Sequence, residues 1–249
     1  MTADPSADPA ASLNASHVRN IFDTIANRYD LANHVLSFGV DFHWRNKAIR
    51  SVLPVGGCRV LDMCCGTGDL TFAFARAGAA EIVGCDFSPE MIRLAAAKEK
   101  RLRMQNRLSS VQITWRTADC TATGLDTQSF DIVSCAFGVR NLADLDAGLA
   151  EMHRVLRPGG QICIIEFSLP SNTLVRTAYL AYFRWIMPLL GGLITGRPAA
   201  YRYLYDSVRD WDRNTDLTTQ LQKAGFRDIR TTPLTCGIAK LHLAARPPR

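Results

Sequence analysis

Val60-Leu61-Asp62-Met63-Cys64-Cys65-Gly66-Thr67-Gly68-Asp69 is an apolar run that breaks into a glycine turn and an acidic residue, and Asp86 closes the next apolar run. The pattern predicts a strand, a tight turn and a helix starting near Asp69, the arrangement with which α/β proteins hold an adenosine-bearing ligand at the carboxyl edge of a parallel sheet. Gly66 and Gly68 permit a sharp turn and a close backbone approach, and the first amides of the helix have no partners inside it. A carboxylate about 20 positions on, here Asp86, suits the two hydroxyls of a ribose and is expected to serve that ligand rather than the core. The same residues would also make an ordinary strand-to-helix turn with an aspartate at the positive end of the helix.

What the loop lacks narrows the ligand. Thr71 stands where a dinucleotide fingerprint has its third glycine, Asp69 puts negative charge where a phosphate would sit, and no Gly-Lys-Ser/Thr ending follows. S-adenosylmethionine carries adenosine and a sulfonium but no phosphate, and suits this acidic, glycine-turned edge.

The 249 residues, 47% apolar and 21% charged, are enough for one large α/β core. Met1 to Leu13 is rich in Ala, Asp, Ser and Pro, with neither a basic segment nor an apolar core, and reads as a disordered tail (1–13) before a single domain (14–249). A cytoplasmic location follows as an expectation. Most of the eight cysteines fall in apolar runs, with no CxxC pair or His/Cys cluster, so buried reduced thiols and no metal site are expected. A net charge of +6 and pI near 9.0 point to an anionic partner, nucleic acid or an acidic membrane surface, without choosing between them.

Strands are predicted from about Arg59, at Glu81 to Cys85, Val111 to Trp115, Phe130 to Ala136 and Gln161 to Phe167. Ser88 should cap a helix with Pro89 at its first position. A helix from Leu145 to Leu156 should be closed by Pro158-Gly159-Gly160. Leu217 to Ala224 reads as helix, and Phe226 to Thr232 with Gly237 to Ala244 as an antiparallel pair. The fold class is therefore α/β, a doubly wound, mostly parallel sheet ending in an antiparallel hairpin, which is the pattern of the class I S-adenosylmethionine-dependent methyltransferases. Thr177 to Thr195 is aromatic and apolar but broken by Arg184, Pro188 and Gly191-Gly192. It is too short and interrupted to span a bilayer, and fits a helical lid within an insertion at about 172–214, or equally an insertion packed on the core.

With these motifs in hand, the chain resembles the ubiquinone/menaquinone biosynthesis C-methyltransferase family over nearly its whole length. The match runs through Val18-Arg19-Asn20-Ile21-Phe22-Asp23 to Tyr29-Asp30 with Asn33, Ser37-Phe38-Gly39 and Trp44; the loop from Asp62 to Asp69; and Phe137-Gly138-Val139-Arg140-Asn141. It continues in Arg157-Pro158-Gly159-Gly160, Glu166-Phe167-Ser168, Tyr201-Arg202-Tyr203-Leu204 and Leu234 to His242. Tyr-Asp-x-x-Asn, Phe-Gly-x-Arg-Asn and Tyr-Arg-Tyr-Leu in that order are its specific elements.

The resemblance implies S-adenosylmethionine contacts at Gly66, Thr67, Gly68, Asp86 and the pair Asp119-Cys120, which departs from the usual Asn-Ala. Asp119 can accept from an adenine amino group but cannot donate as an amide would. Cys64-Cys65 resembles members on the menaquinone side. The implied reaction is C-methylation of a polyprenylated quinol, demethylmenaquinol to menaquinol, with the equivalent benzoquinol of ubiquinone biosynthesis as the alternative. Arg140 is the catalytic candidate, either stabilising phenolate charge or bonded structurally to loop carbonyls. Tyr29 and Tyr201 are candidates for the substrate site, and none of the five histidines has a spacing that nominates a base.

The implied substrate adds peripheral contact with the inner face of a membrane; a homo-oligomer is compatible with the sequence. Two rival classes are weaker: an RNA methyltransferase would need an Asn-Pro-Pro-Tyr-like loop or an appended nucleic-acid module, and a non-catalytic subunit would not need an intact cradle at Thr67, Gly68 and Asp86. No nucleic-acid partner is expected.

Overall fold

The computed structural model describes residues 23–24, 28, 30–52, 54–108 and 110–248. Seven strands, β1 (Arg59–Met63), β2 (Glu81–Asp86), β3 (Gln112–Thr117), β4 (Phe130–Ala136), β5 (Leu156–Phe167), β6 (Arg227–Leu234) and β7 (Ala239–Ala245), form one sheet in the order 3-2-1-4-5-7-6. All neighbours among β1 to β5 are parallel, and β7 runs antiparallel to both β5 and β6. The doubly wound sheet with a closing hairpin is therefore as expected. The order reverses at β1/β4, so the loops after those strands open onto a crevice at the carboxyl edge.

The central strands are apolar on both faces because both are covered. Leu61, Met63, Val83, Cys85, Val133 and Ile164 pack with α4 (Leu145–Val155) and α8 (Leu217–Lys223). Their alternating neighbours Val60, Ile82 and Ile132 meet α2 (Asp69–Arg76), and Cys163 and Ile165 meet Trp44 and Ala48 of α1 (Val40–Ser51). Asp62 is a polar exception in this core. Its carboxylate accepts from Thr71 Oγ1 at 2.6 Å and Ser134 Oγ at 2.7 Å, tying β1 to α2 and β4. Burial nevertheless pushes it up to about 6.

Ser88 caps α3 (Pro89–Met104) as expected, accepting from the Met91 amide, with Pro89 in the first turn. One boundary differs. Arg157-Pro158-Gly159-Gly160 does not stand apart as a turn: β5 starts at Leu156, and the four residues bulge between the pairs Phe130↔Leu156 and Ile132↔Gln161. The chain near its end holds the bulge, with Gly159 N–H donating to Arg246 O at 3.0 Å and Arg246 N–H to Gly160 O at 2.8 Å. A proline and two glycines signal a break in the ladder but not that the strand resumes its direction beyond it.

Between β5 and α8 the chain leaves the sheet. α5 (Thr173–Ala181), a π-helical turn (Tyr182–Ile186) and α6 (Met187–Thr195) make one long helix, and α7 (Pro198–Asn214) returns beside it. Gly191 lets the two approach, since a Cβ there would lie 2.5 Å from the Tyr201 ring. Tyr179, Phe183, Met187, Tyr201 and Val208 form a second core with Leu36, apart from the sheet's. No helix among the described residues is long and apolar enough to cross a membrane. The tail 1–13, the motif's Val18 to Phe22 and Tyr29 lie outside the described residues.

Candidate active site

The turn after β1 is built from both neighbours. Gly66 N–H donates to Asp86 Oδ2 at 2.8 Å, and Ser88 N–H to Asp86 Oδ1 at 3.0 Å. The expectation that Asp86 serves only a ligand is thus corrected: its carboxylate also ties the loops after β1 and β2 together. The Phe87 amide bonds it as well, so of about four acceptor positions on the two oxygens one remains for a ribose hydroxyl. Burial pushes Asp86 up to about 6 against the pull of these amides.

The two loop glycines have different reasons. A Cβ on Gly66 (φ +55) would meet nothing within 4 Å, leaving room for a ligand, whereas one on Gly68 (φ +86) would lie 2.6 Å from the Trp115 ring on β3. Gly68 is held by its left-handed backbone and by packing. Thr67 is buried and its hydroxyl donates to Asp30, which also receives Lys98 Nζ at 2.6 Å. Asp119 Oδ1 accepts from both the amide and the hydroxyl of Thr121 at 2.8 Å, and its other oxygen accepts no bond from the described residues. Cys120 is buried with Sγ accepting from Cys64 N–H at 3.3 Å, so its backbone, not its thiol, is the part available to an adenine.

Beside this loop lies a cavity of 380 Å³ whose wall is mostly aromatic and aliphatic: Trp44, Phe137, Phe167, Phe183 and Leu36, roofed by Tyr179 and Tyr201. Phe137, the first residue after β4, and Phe167, the last of β5, stack at 4.4 Å. Arg140 sits in the short turn Val139–Asn141 and faces Phe167 at 5.4 Å. Its Nη1 donates to Glu166 Oε1 at 2.7 Å and to Phe137 O at 2.5 Å, and the two ionic side chains are 4% and 1% exposed. The structural alternative is met by the bond to the Phe137 carbonyl, and the same side chain lines the cavity. Tyr201 lines it too, buried against Gly191.

Sequence reasoning missed the other polar group of this wall. Arg45 donates to Asp41, faces the Phe137 ring at 5.9 Å and lies 3.6 Å from Asp69. His34 Nδ1 is 2.8 Å from Asp41 Oδ2, and Ser37 Oγ donates to Asp41 at 2.7 Å. The bond to Asp41 pushes His34 above its ordinary range; against the pull of burial, His34 and Arg45 hold Asp41 below its own. Ligand atoms of His34, Asp41 and Asp69 lie within 4.8 Å of one another, but the Arg45 guanidinium already supplies positive charge to both carboxylates, which makes this an ion network rather than a metal site. The i, i+4 spacing of Asp41 and Arg45 was the one signal available. Tyr203, also missed, donates to Asn141 Oδ1 at 3.1 Å and joins α7 to the Arg140 turn.

The chain is 40% identical over 239 residues to the ubiquinone/menaquinone biosynthesis C-methyltransferase UbiE of Geobacter sp. (strain M21), covering 95% of this chain and 99% of that one. It is 40% identical over 228 residues to the demethylmenaquinone methyltransferase of Thermus thermophilus, covering 91% and 100%. Among solved structures it resembles a SAM-dependent methyltransferase from Aquifex aeolicus (TM-score 0.57, 17% identity, 81% of this chain and 89% of that one). It resembles the [4+2]-cyclase SpnF with a TM-score of 0.61 at 15% identity, covering 93% and 96%. That pair shares a fold and not a reaction. A family model, the ubiE/COQ5 methyltransferase family, matches residues 10–246, and the chain belongs to that family.

Proposed function

We propose that this chain is an S-adenosylmethionine-dependent C-methyltransferase of respiratory quinone biosynthesis, acting on demethylmenaquinol. The observation that carries the reading is the adjacency of a glycine turn ending in a buried acidic cradle to a 380 Å³ aromatic cavity. Gly66 offers open space, Asp86 a buried carboxylate with an acceptor position to spare, and Asp119 an oxygen without a bond from the described residues, so the residues present fit the cofactor. Thr67, Gly68 and the Cys120 backbone complete that cradle.

When bound, the cofactor supplies an electrophilic methyl group on a sulfonium. The protein's task is then to position a ring carbon, stabilise charge on the ring oxygens and keep water out. The stacked phenyl rings of Phe137 and Phe167 and the indole of Trp44 suit a flat bicyclic ring, and Arg140 stands where negative oxygen charge would develop. Glu166 holds that guanidinium in place. Residues about 172–214 act as a lid within a single domain, and Tyr201 and Tyr29 belong to the substrate side. The outer lid face, with Leu174, Trp185, Leu189 and Leu193 at 64–80% exposure and Arg184 over the Trp185 ring at 5.1 Å, suits a lipid surface from which a prenylated substrate would enter.

The test is transfer of labelled methyl from S-adenosylmethionine to short-chain demethylmenaquinol, with the matching benzoquinol and bulk RNA alongside. Methylation of the naphthoquinol is expected to dominate. Preference for the benzoquinol would reassign the substrate, and label in RNA alone would sink the reading.

A further inference from the structure

Buried polar side-chain atoms are almost always hydrogen-bonded, so each exception calls for a cause. Among the described residues four such atoms lack a partner: Arg45 Nε, Arg140 Nε, Tyr179 Oη and Gln220 Oε1. Gln220 lies on α8, but the other three belong to side chains that line the cavity. Leaving three donors unpaired in one apolar chamber costs stability, each by roughly 1–3 kcal/mol. A ligand with acceptor oxygens removes that cost.

Tyr179 is the most telling of the three. Tyr182 and Tyr203 line the same cavity, yet their hydroxyls are spent on Leu36 O at 2.9 Å and Asn141 Oδ1 at 3.1 Å. The Tyr179 ring is fixed by stacking on Phe183 at 4.8 Å and is 8% exposed. Its hydroxyl is close enough to Arg140 to feel that charge, while burial holds it well above the ordinary phenol range, so it remains a donor at neutral pH. Arg45 and Arg140 face different members of the stacked Phe137–Phe167 pair, which places polar demand at two points around a flat apolar space. A 1,4-dihydroxyarene has that pattern of acceptors.

We infer that Tyr179 is a further catalytic residue, donating a hydrogen bond from the lid to one ring oxygen of the quinol beside Arg140, and that Arg45 Nε marks the binding point of the second oxygen. The inference rests on the quinol reading above. Tyr179 keeps its proton throughout. Its bond strengthens as charge gathers on the ring oxygen, so the lid contributes to the chemistry as well as to enclosure.

Tyr179→Phe removes one atom that has no hydrogen-bond partner among the described residues. The melting temperature of the free protein is therefore expected to rise and cofactor affinity to match wild type, while turnover of short-chain demethylmenaquinol falls by roughly 10²-fold, as for other oxyanion donors. A second measurement needs neither cofactor nor turnover: anaerobic binding of 1,4-dihydroxynaphthalene against 1,4-dimethylnaphthalene, read by quenching of Trp44, which lines the cavity. Wild type should prefer the diol, and Y179F should lose roughly five- to tenfold of that preference. An unchanged preference overturns the inference, as does wild-type turnover in Y179F. Failure of the wild-type protein to methylate the quinol would overturn the proposed reaction instead, with the naphthalene pair still reading Tyr179.

Discussion

Asp62 in the sheet and Tyr179 in the helices between β5 and α8 are both buried, yet the carboxylate of the first accepts two hydroxyl bonds across three elements and the hydroxyl of the second has no hydrogen-bond partner among the described residues. The same contrast holds for apolar surface. Central strands are apolar on both faces and covered on both, whereas the long helix through α5 and α6 buries Phe183 and Met187 inward and leaves Trp185, Leu189 and Leu193 outward in the open. A region that satisfies its own groups holds its shape alone. One that leaves polar donors inside and apolar side chains outside is shaped for something it does not itself contain.

The strongest way to break the contrast is at the sheet's edge. Arg140→Ala strands Glu166 in a site where both side chains are nearly inaccessible, so unfolding free energy should drop by about 3–5 kcal/mol in chemical denaturation, and turnover should be lost with it. Arg140→Lys keeps the charge without the fork. Turnover is expected to fall far more than cofactor affinity, and near-normal single-turnover transfer in a stable mutant would remove Arg140 from the mechanism.

Asp86 gives the next largest effect. Asp86→Ala should weaken S-adenosylmethionine binding by about 1.5–3 kcal/mol in calorimetry, together with some loss of stability, because Gly66 and Ser88 amides lose their acceptor. The pH dependence separates the two roles. A carboxyl raised to about 6 from 3.8 is protonated as pH falls through 6, so cofactor affinity should decline there. Free-protein stability receives a contribution of the opposite sign, since the folded state binds that proton more tightly than the unfolded one and gains as pH falls from about 6 towards 3.8. Affinity that stays flat through pH 6 would remove the carboxylate from the cradle.

In the helices between β5 and α8, Gly191→Val forces a Cβ into the Tyr201 ring and should cost about 1–3 kcal/mol, felt as faster amide exchange across 173–214 and lower quinol turnover with cofactor affinity kept. Faster exchange in the sheet as well would mean that the two regions are not independent. Smallest in stability is Leu189→Ser with Leu193→Ser, within about 0.5 kcal/mol of wild type because both are exposed. Sedimentation with anionic vesicles should nevertheless weaken, on the order of tenfold, and unchanged sedimentation would leave the outer face without a lipid role.

The sheet was legible because its signals are local. β4 runs from Phe130 to Ala136 as the apolar run between turn residues predicts, and Ser88-Pro89 marks its helix start on capping chemistry alone. The bulge at Arg157 to Gly160 was not, since its cause is the distant chain at Arg246. In the site, Asp86 and Arg140 stand at strand ends, where sequence order places them. Asp41, His34 and Arg45 come from a helical segment whose relation to the cavity is tertiary. Whether a tyrosine hydroxyl finds a partner depends on every neighbour at once, and so Tyr179 reads from the sequence as one more aromatic in an apolar stretch.

The Trp115 ring across Gly68 carries a consequence for how this loop can vary in evolution. The indole of β3, anchored by its Nε1 donating to Glu99 Oε2 at 2.7 Å, fills the space a side chain at 68 would need, and overlies Gly84 at 2.6 Å as well. Positions 84 and 115 should drift together: lineages that shrink the tryptophan are free to lose Gly84, whereas Gly68 is held as well by its φ of +86° and by the Phe72 ring 3.0 Å from where its Cβ would lie. A glycine commonly taken as a mark of the ligand is here held in part by a neighbour two strands away.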